Sequence, residues 1–272
     1  MEILDKILLF HPYRKEALKL AIAFKRKFVV KQLASLVYEW SMNSASANGE
    51  VSILNWWRNS GLNMKYNEEA MDWASANGHV EVLNWWKNSC LELKWSAKAT
   101  DGASKFGFTF VLDWWKNSGL EMKWSTNAMH EASRNGHIAV LNWWKNSGLE
   151  LKYTDAAMDV ASAHSHVEVL NWWKNSGLEM KWSDWAMDSA SYAGNIDVLN
   201  WWKGSGLELK WSTKAMDWAT DRGHIEVLDW WKTSGLTMEW TTRALSWARQ
   251  NGRIEVLNWW KKNVYNYNVE RK

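Results

Sequence analysis

One ten-residue phrase returns along this chain: Val-Leu-Asn-Trp-Trp-Lys-Asn-Ser-Gly-Leu, as it stands from Val140 to Leu149. Its Trp-Trp pair begins at Trp56, Trp85, Trp114, Trp143, Trp172, Trp201, Trp230 and Trp259, each 29 residues after the last. A constant period in this range marks a stacked array, in which each unit exposes an apolar face that only a neighbour covers. The period therefore replaces the reading of 272 residues as one or two globular domains. It predicts three segments: a helical cap at 1–37, eight repeats over 38–269, and a tail at 270–272.

The copy at 125–153 shows what one unit contains. Ser125 has the character of a helix N-cap, and Asn67, Ser96, Thr154, Ser183, Ser212 and Thr241 hold the same place. A first helix, helix A, follows through Ala128, Met129, Ala132 and Ser133. It ends at Asn135-Gly136, where glycine suits a left-handed C-cap; Ser165 is the one non-glycine among the copies. A second, helix B, is predicted from Ile138 to about Ser147. Its apolar residues cover most of the circumference and leave Ala139, Asn142 and Asn146 as a narrow polar stripe. Gly148 ends it, and Leu149-Glu150-Leu151-Lys152-Tyr153 alternates as a short extended linker does.

These residues resemble the ankyrin repeat. In the copy at 67–95, Ala70 falls on the family's Pro, Met71 on its Leu, Asp72 on its His and Ala74-Ser75 on its Ala-Ala, while Gly78-His79 matches outright. The resemblance implies an all-α solenoid of eight helix-turn-helix repeats with an N-terminal helical cap. Three departures stand out. The period is shorter than the family's, so its protruding β-hairpin is expected to shrink to a tight linker. Asp replaces the helix-A His, and Trp-Trp replaces the Leu-Leu core pair.

A row of tandem indoles suggests a ladder for sugars or bases, since stacking contributes about 1–3 kcal/mol per base. Neighbouring residues on a helix point about 100° apart, however, so a pair offers no single flat platform. The expectation is that both indoles are core, one toward helix A of the same repeat and one toward helix B of the next. The Ala-x-x-x-Ala of helix A (Ala128, Ala132) supplies the room. The aromatic of the linker (Tyr66, Trp95, Trp124, Tyr153, Trp182, Trp211, Trp240) reads as a staple between successive repeats.

Function is sought where the copies disagree. Four helix-A positions vary, at i, i+4, i+7 and i+8, which form one continuous stripe. The ankyrin resemblance implies that this stripe lines a concave, partner-binding face. It carries Trp73, Lys105, Phe106, Arg134, Trp185, Tyr192, Trp218, Arg222 and Trp247, residue types that dominate interface hot spots. The expected activity is thus non-catalytic: a protein–protein interaction scaffold, monomeric, with a protein partner. A glycan- or nucleic-acid-binding aromatic ladder is the alternative from another class, although a net charge of +3 gives nucleic acid little support.

The remaining signals read as structural. His79, His137, His166 and His224 recur at a helix junction, and Asp72, Asp101, Asp159, Asp188 and Asp217 recur once per repeat. Neither set has a nucleophile, base or metal-ligand spacing beside it, so no catalytic residue, metal or cofactor is expected. The one cysteine, Cys90, excludes a disulfide framework and fits an intracellular site, cytoplasmic or nuclear. No apolar run approaches the roughly 20 residues of a membrane span, so no membrane partner is expected.

The first 37 residues hold eight Lys/Arg against three Asp/Glu. Glu2-Ile3-Leu4, Ile7-Leu8, Phe10, the run Ala23 to Phe28 and Trp40 are similar to an F-box. That resemblance implies a second alternative, the substrate-recognition subunit of a cullin ubiquitin ligase. Ile3, Leu4, Ile7 and Leu8 would then meet a Skp-type adaptor.

Overall fold

The computed structural model describes residues 42–61 and 63–265, and helices are the only regular elements among them. Sixteen α-helices occur in pairs. They are α1 (Met42–Ala47) with α2 (Val51–Asn59), α3 (Glu69–Ala76) with α4 (Val80–Lys87), α5 (Lys98–Lys105) with α6 (Thr109–Asn117), and α7 (Asn127–Arg134) with α8 (Ile138–Asn146). The series continues with α9 (Ala156–Ala163) and α10 (Val167–Asn175), α11 (Trp185–Tyr192) and α12 (Ile196–Gly204), α13 (Thr213–Arg222) and α14 (Ile225–Ser234), and α15 (Thr242–Gln250) and α16 (Ile254–Trp260). A π-turn, Lys261–Tyr265, closes it. The N-terminal cap and its F-box-like residues Ile3, Leu4, Ile7 and Leu8 lie outside the described residues, as does the tail at 270–272.

Local chemistry sets the helix ends. Ser96 Oγ accepts from the Lys98 amide, Ser125 Oγ from Asn127 and Ser183 Oγ from Trp185, each at 3.1 Å. These bonds satisfy an amide that the first helical turn leaves without a partner. At the other end of helix A the backbone turns left-handed, as at Gly194 (φ 76°), and Ser165 takes the same conformation (φ 67°) where glycine is missing. A glycine there also meets a second demand. A Cβ on Gly194 would lie 2.9 Å from the His224 ring, so a larger residue there would have to displace that ring as well as accept a strained φ.

Helix B ends on a device that the sequence pattern alone did not suggest. Ser147 Oγ donates to the Trp144 carbonyl (2.7 Å) and accepts from the Leu149 amide (3.1 Å). Ser89, Ser118, Ser176, Ser205 and Ser234 repeat the first bond at the same place. The linker then runs on without strand pairing, so the short period leaves no β-hairpin among the described residues.

The chain divides into two compact units, Met1–Ala128 and Met129–Lys272. In the first, α3 packs against α1 and α5, and each helix A packs against its own helix B. In the second, α9, α11, α13 and α15 pack in sequence order, while the helix-B row meets more lightly. The core of each unit is built from the helix-A alanines and methionines, the Val-Leu of helix B, and the second indole of every pair but the first, where Trp57 is half-buried. These helix pairs fit the ankyrin-like reading of the sequence.

Candidate interaction surface

The two indoles of a pair do different work. The second is closed off in seven of the eight pairs: Trp86, Trp115, Trp144, Trp173, Trp202, Trp231 and Trp260 are at most 1% exposed, and Trp57 is half-buried. The first is half-buried in most copies, which corrects the expectation that both are core. The rings of a pair meet edge to face about 5 Å apart, as in Trp201–Trp202 (5.0 Å, 89°).

Their N–H groups also correct the expected direction of packing. Trp202 Nε1 donates to Ser162 Oγ (3.0 Å), a helix-A residue of the preceding repeat, and Trp231 does the same to Ser191 (3.0 Å). Trp201 Nε1 donates to Asn171 Oδ1 (2.7 Å) and Trp230 to Asn200 (2.7 Å), helix-B residues of the preceding repeat. Both indoles thus reach back by one repeat rather than within their own repeat or to the next. The Asn of Val-Leu-Asn-Trp-Trp, read from the sequence only as part of a polar stripe, is therefore an acceptor in the seam. The linker aromatic completes that seam. Trp182 lies against Trp202 (5.8 Å) and donates to the Glu208 carbonyl (3.0 Å), as a staple between repeats should.

The Asp series is equally structural. Asp188 Oδ1 accepts from the Ser212 amide (2.9 Å) and Oδ2 from Ser212 Oγ (2.5 Å), so one carboxylate grips the next repeat's N-cap. Asp72, Asp101, Asp159 and Asp217 grip Ser96, Ser125, Ser183 and Thr241 in the same way. Burial raises the carboxyl pKa of Asp72, Asp159 and Asp188, that of Asp188 to about 6, against the opposing pull of the Ser hydrogen bonds. His130 stands in for Asp in one repeat. Its Nε2 accepts from the Thr154 amide (3.1 Å), and burial lowers its pKa, which keeps that nitrogen unprotonated. The junction histidines pack on the glycine turns, and His224 Nε2 lies 3.1 Å from the Tyr192 carbonyl. No group of three metal-capable side chains occurs among the described residues.

With these residues committed to the frame, the variable helix-A stripe remains. In the second unit the structure brings four of its predicted residues together. Trp185 on α11 and Trp218 on α13 meet edge to face (5.3 Å, 82°), and Tyr192 meets Trp218 likewise (5.8 Å, 77°). The Arg222 guanidinium lies 4.3 Å from the centre of the Tyr192 ring, and Lys214 Nζ lies 5.7 Å from that of Trp218. Trp185, Tyr192, Lys214 and Arg222 are exposed and Trp218 is half-buried. Trp247, on α15, is half-buried, and among the described residues no ring contact joins it to this cluster. Arg134 faces solvent on α7 and pairs with Glu131 of the same helix (3.6 Å).

In the first unit Trp73 on α3 is 43% exposed, and Lys105 Nζ sits 5.6 Å from the centre of the Phe106 ring. Sequence reasoning missed two rings there. Phe108 stacks on Phe106 (6.4 Å) and touches Phe110 (5.5 Å), and Phe106 and Phe110 are each half exposed. The signal was present. Phe108 takes the place of the junction His, and Phe110 takes a place that is Glu or Asp in five other copies, but both lie outside the helix-A stripe.

A groove of about 540 Å³ opens along the linker edge of the second unit, between Tyr153 and Trp182. There Lys181 and Lys210 lie over the Tyr153 and Trp182 rings and are paired with Glu179 and Glu208. No helix among the described residues is long and apolar enough to cross a membrane.

No protein-family model matches the sequence, and a search of curated proteins finds no match. Among solved structures the chain is similar to the human ASB11 ankyrin repeat domain, at 18% identity over 65% of this chain and 90% of that one, with a TM-score of 0.47. The fold described above is read from the chain's own helix pairs.

Proposed function

We propose that this chain is a non-catalytic recognition module that holds a protein partner on its helix-A stripe, the patch around Trp218 in the second unit being a principal contact. The observation that carries this reading is the Trp185–Trp218–Tyr192 ring cluster with Arg222 across Tyr192. The indoles of the Trp-Trp pairs and of the linker, by contrast, are committed to the seams between repeats. Here large aromatic side chains meet solvent at positions that vary from copy to copy, and an aromatic–arginine surface is what interface hot spots are made of. The side chains offer ring faces and positive charge rather than a nucleophile with its base.

The test is a quantitative pull-down with the full chain, a Trp185→Ala/Arg222→Ala variant, and a control altered on exposed helix-B residues, Glu168→Ala/Lys203→Ala. The expected result is that proteins retained by the parent and the control are lost from the helix-A variant. Retention of the same proteins by all three places recognition elsewhere on the chain.

A further inference from the structure

We infer that the patch of the second unit accepts an acidic peptide segment, in which carboxylates flank one large apolar side chain. This rests on the recognition role just proposed and specifies the partner's chemistry. Lys214, Trp218 and Arg222 follow one another at intervals of four residues on α13. Successive members therefore share a face, each rising about 6 Å above the last, so the backbone positions of the two cationic residues lie about 12 Å apart along the helix with that of Trp218 between them. Trp185 and Tyr192 of α11 wall the same indole through their edge-to-face contacts. An apolar side chain thus finds aromatic surface at the centre and a cation at each end.

The charges decide which partner fits. On the linker edge, Lys94, Lys181 and Lys210 lie over rings too, but each is paired with the Glu two residues before it, at 3.1 to 3.6 Å. Lys214 and Arg222 form no ion pair among the described residues. Two carboxylates nearby are held by hydrogen bonds, Asp188 by the Ser212 amide and hydroxyl and Asp221 by Asn251 (2.6 Å), although Asp188 also attracts Lys214 through space. Packed over Tyr192, the Arg222 fork is held in place with its N–H donors free for a carboxylate, the geometry that guanidinium groups match with two parallel bonds. A cationic ligand would have to displace Lys214 and Arg222 from the rings and then meet their charge. A nucleic acid would need a longer positive track than two residues.

The experiment selects random peptides of about 12 residues, displayed on phage, against the full chain. The best of them, synthesised with a fluorescent label, is then titrated with the parent and with Arg222→Glu, Lys214→Glu, Trp185→Ala and Lys145→Glu. Circular dichroism verifies that each variant is folded, and Arg222→Lys tests whether charge without the planar fork retains part of the affinity. The expected result is enrichment of Asp or Glu on both sides of an aromatic or aliphatic residue. Affinity should fall about tenfold or more in Arg222→Glu and Trp185→Ala, stay unchanged in Lys145→Glu, and weaken as salt rises from about 0.05 to about 0.5 M. Basic or uncharged peptides that still depend on Trp185 would overturn the acidic specificity and leave the recognition role standing. Peptides indifferent to both Trp185→Ala and Arg222→Glu, or no enrichment at all, would overturn both.

Discussion

Trp201 and Trp202 are adjacent and chemically identical, and the fold gives them different tasks. Trp202 is sealed in the core with its N–H on Ser162, whereas Trp201 is half-buried with its N–H on Asn171. Trp202→Ala should therefore cost about 3–5 kcal/mol, as for other buried large aromatics, and Trp201→Ala about 1–2 kcal/mol. Denaturant midpoints of the two variants check this, and equal losses would contradict the division. Ser162→Ala leaves a buried indole N–H without its acceptor and should cost about 1–3 kcal/mol. Asp188 supports a prediction in pH. Burial raises its folded pKa to about 6, above the unfolded value, so the folded state holds the extra proton. The resulting stability is complete below the unfolded pKa of about 4 and is lost as pH rises through about 6. Asn carries no charge at any pH. The melting temperature of Asp188→Asn relative to the parent should accordingly rise by a few degrees between about pH 4 and pH 7. A pH-independent difference would show that Asp188 titrates at an ordinary value.

At the scale of the helix pair, most boundaries were legible in the sequence because they depend on the nearest few residues. A Ser or Thr oxygen two residues before an amide caps it, and a glycine ends a helix wherever φ must be positive. Two copies break the second rule. Cys90 and Ser165 take φ of 60° and 67°. A side chain in that region costs roughly 1–2 kcal/mol, so Cys90→Gly should raise stability by about 1 kcal/mol. Ser165→Gly should gain less, because Ser165 Oγ accepts from Asn195 and the variant gives up that bond. Thermal melts of the two variants against the parent test the order. The candidate patch was only partly legible. Comparing copies singled out Trp185, Tyr192, Trp218 and Arg222 as variable, but nothing in one repeat tells that the Trp218 indole meets two rings of the preceding repeat. Phe108 and Phe110 escaped because they vary on the turn and the first turn of helix B, away from the stripe.

Across the whole molecule, stability is assembled from contacts between neighbours. In the second unit α9, α11, α13 and α15 pack each on the next, and the recurrent polar bonds join residues of one repeat or of adjacent repeats. Such an array behaves as a sum of unit and nearest-neighbour terms. Hydrogen exchange on Trp202→Ala should then lose protection mainly in α9, α11 and α12, which frame the missing indole. Uniform loss throughout the second unit would show that it unfolds as one cooperative block. By itself the sequence determined the period, the helix type and most of the helix ends, because these follow from local backbone preferences repeated every 29 residues. Only the tertiary structure decided which indole of each pair is sealed, which repeat its N–H reaches, what each Asp holds, and where arginine and lysine settle on rings. The indole and Asp outcomes depend on residues 24 to 40 positions apart meeting across a seam, and no stretch of chain short enough to read as a motif contains both partners.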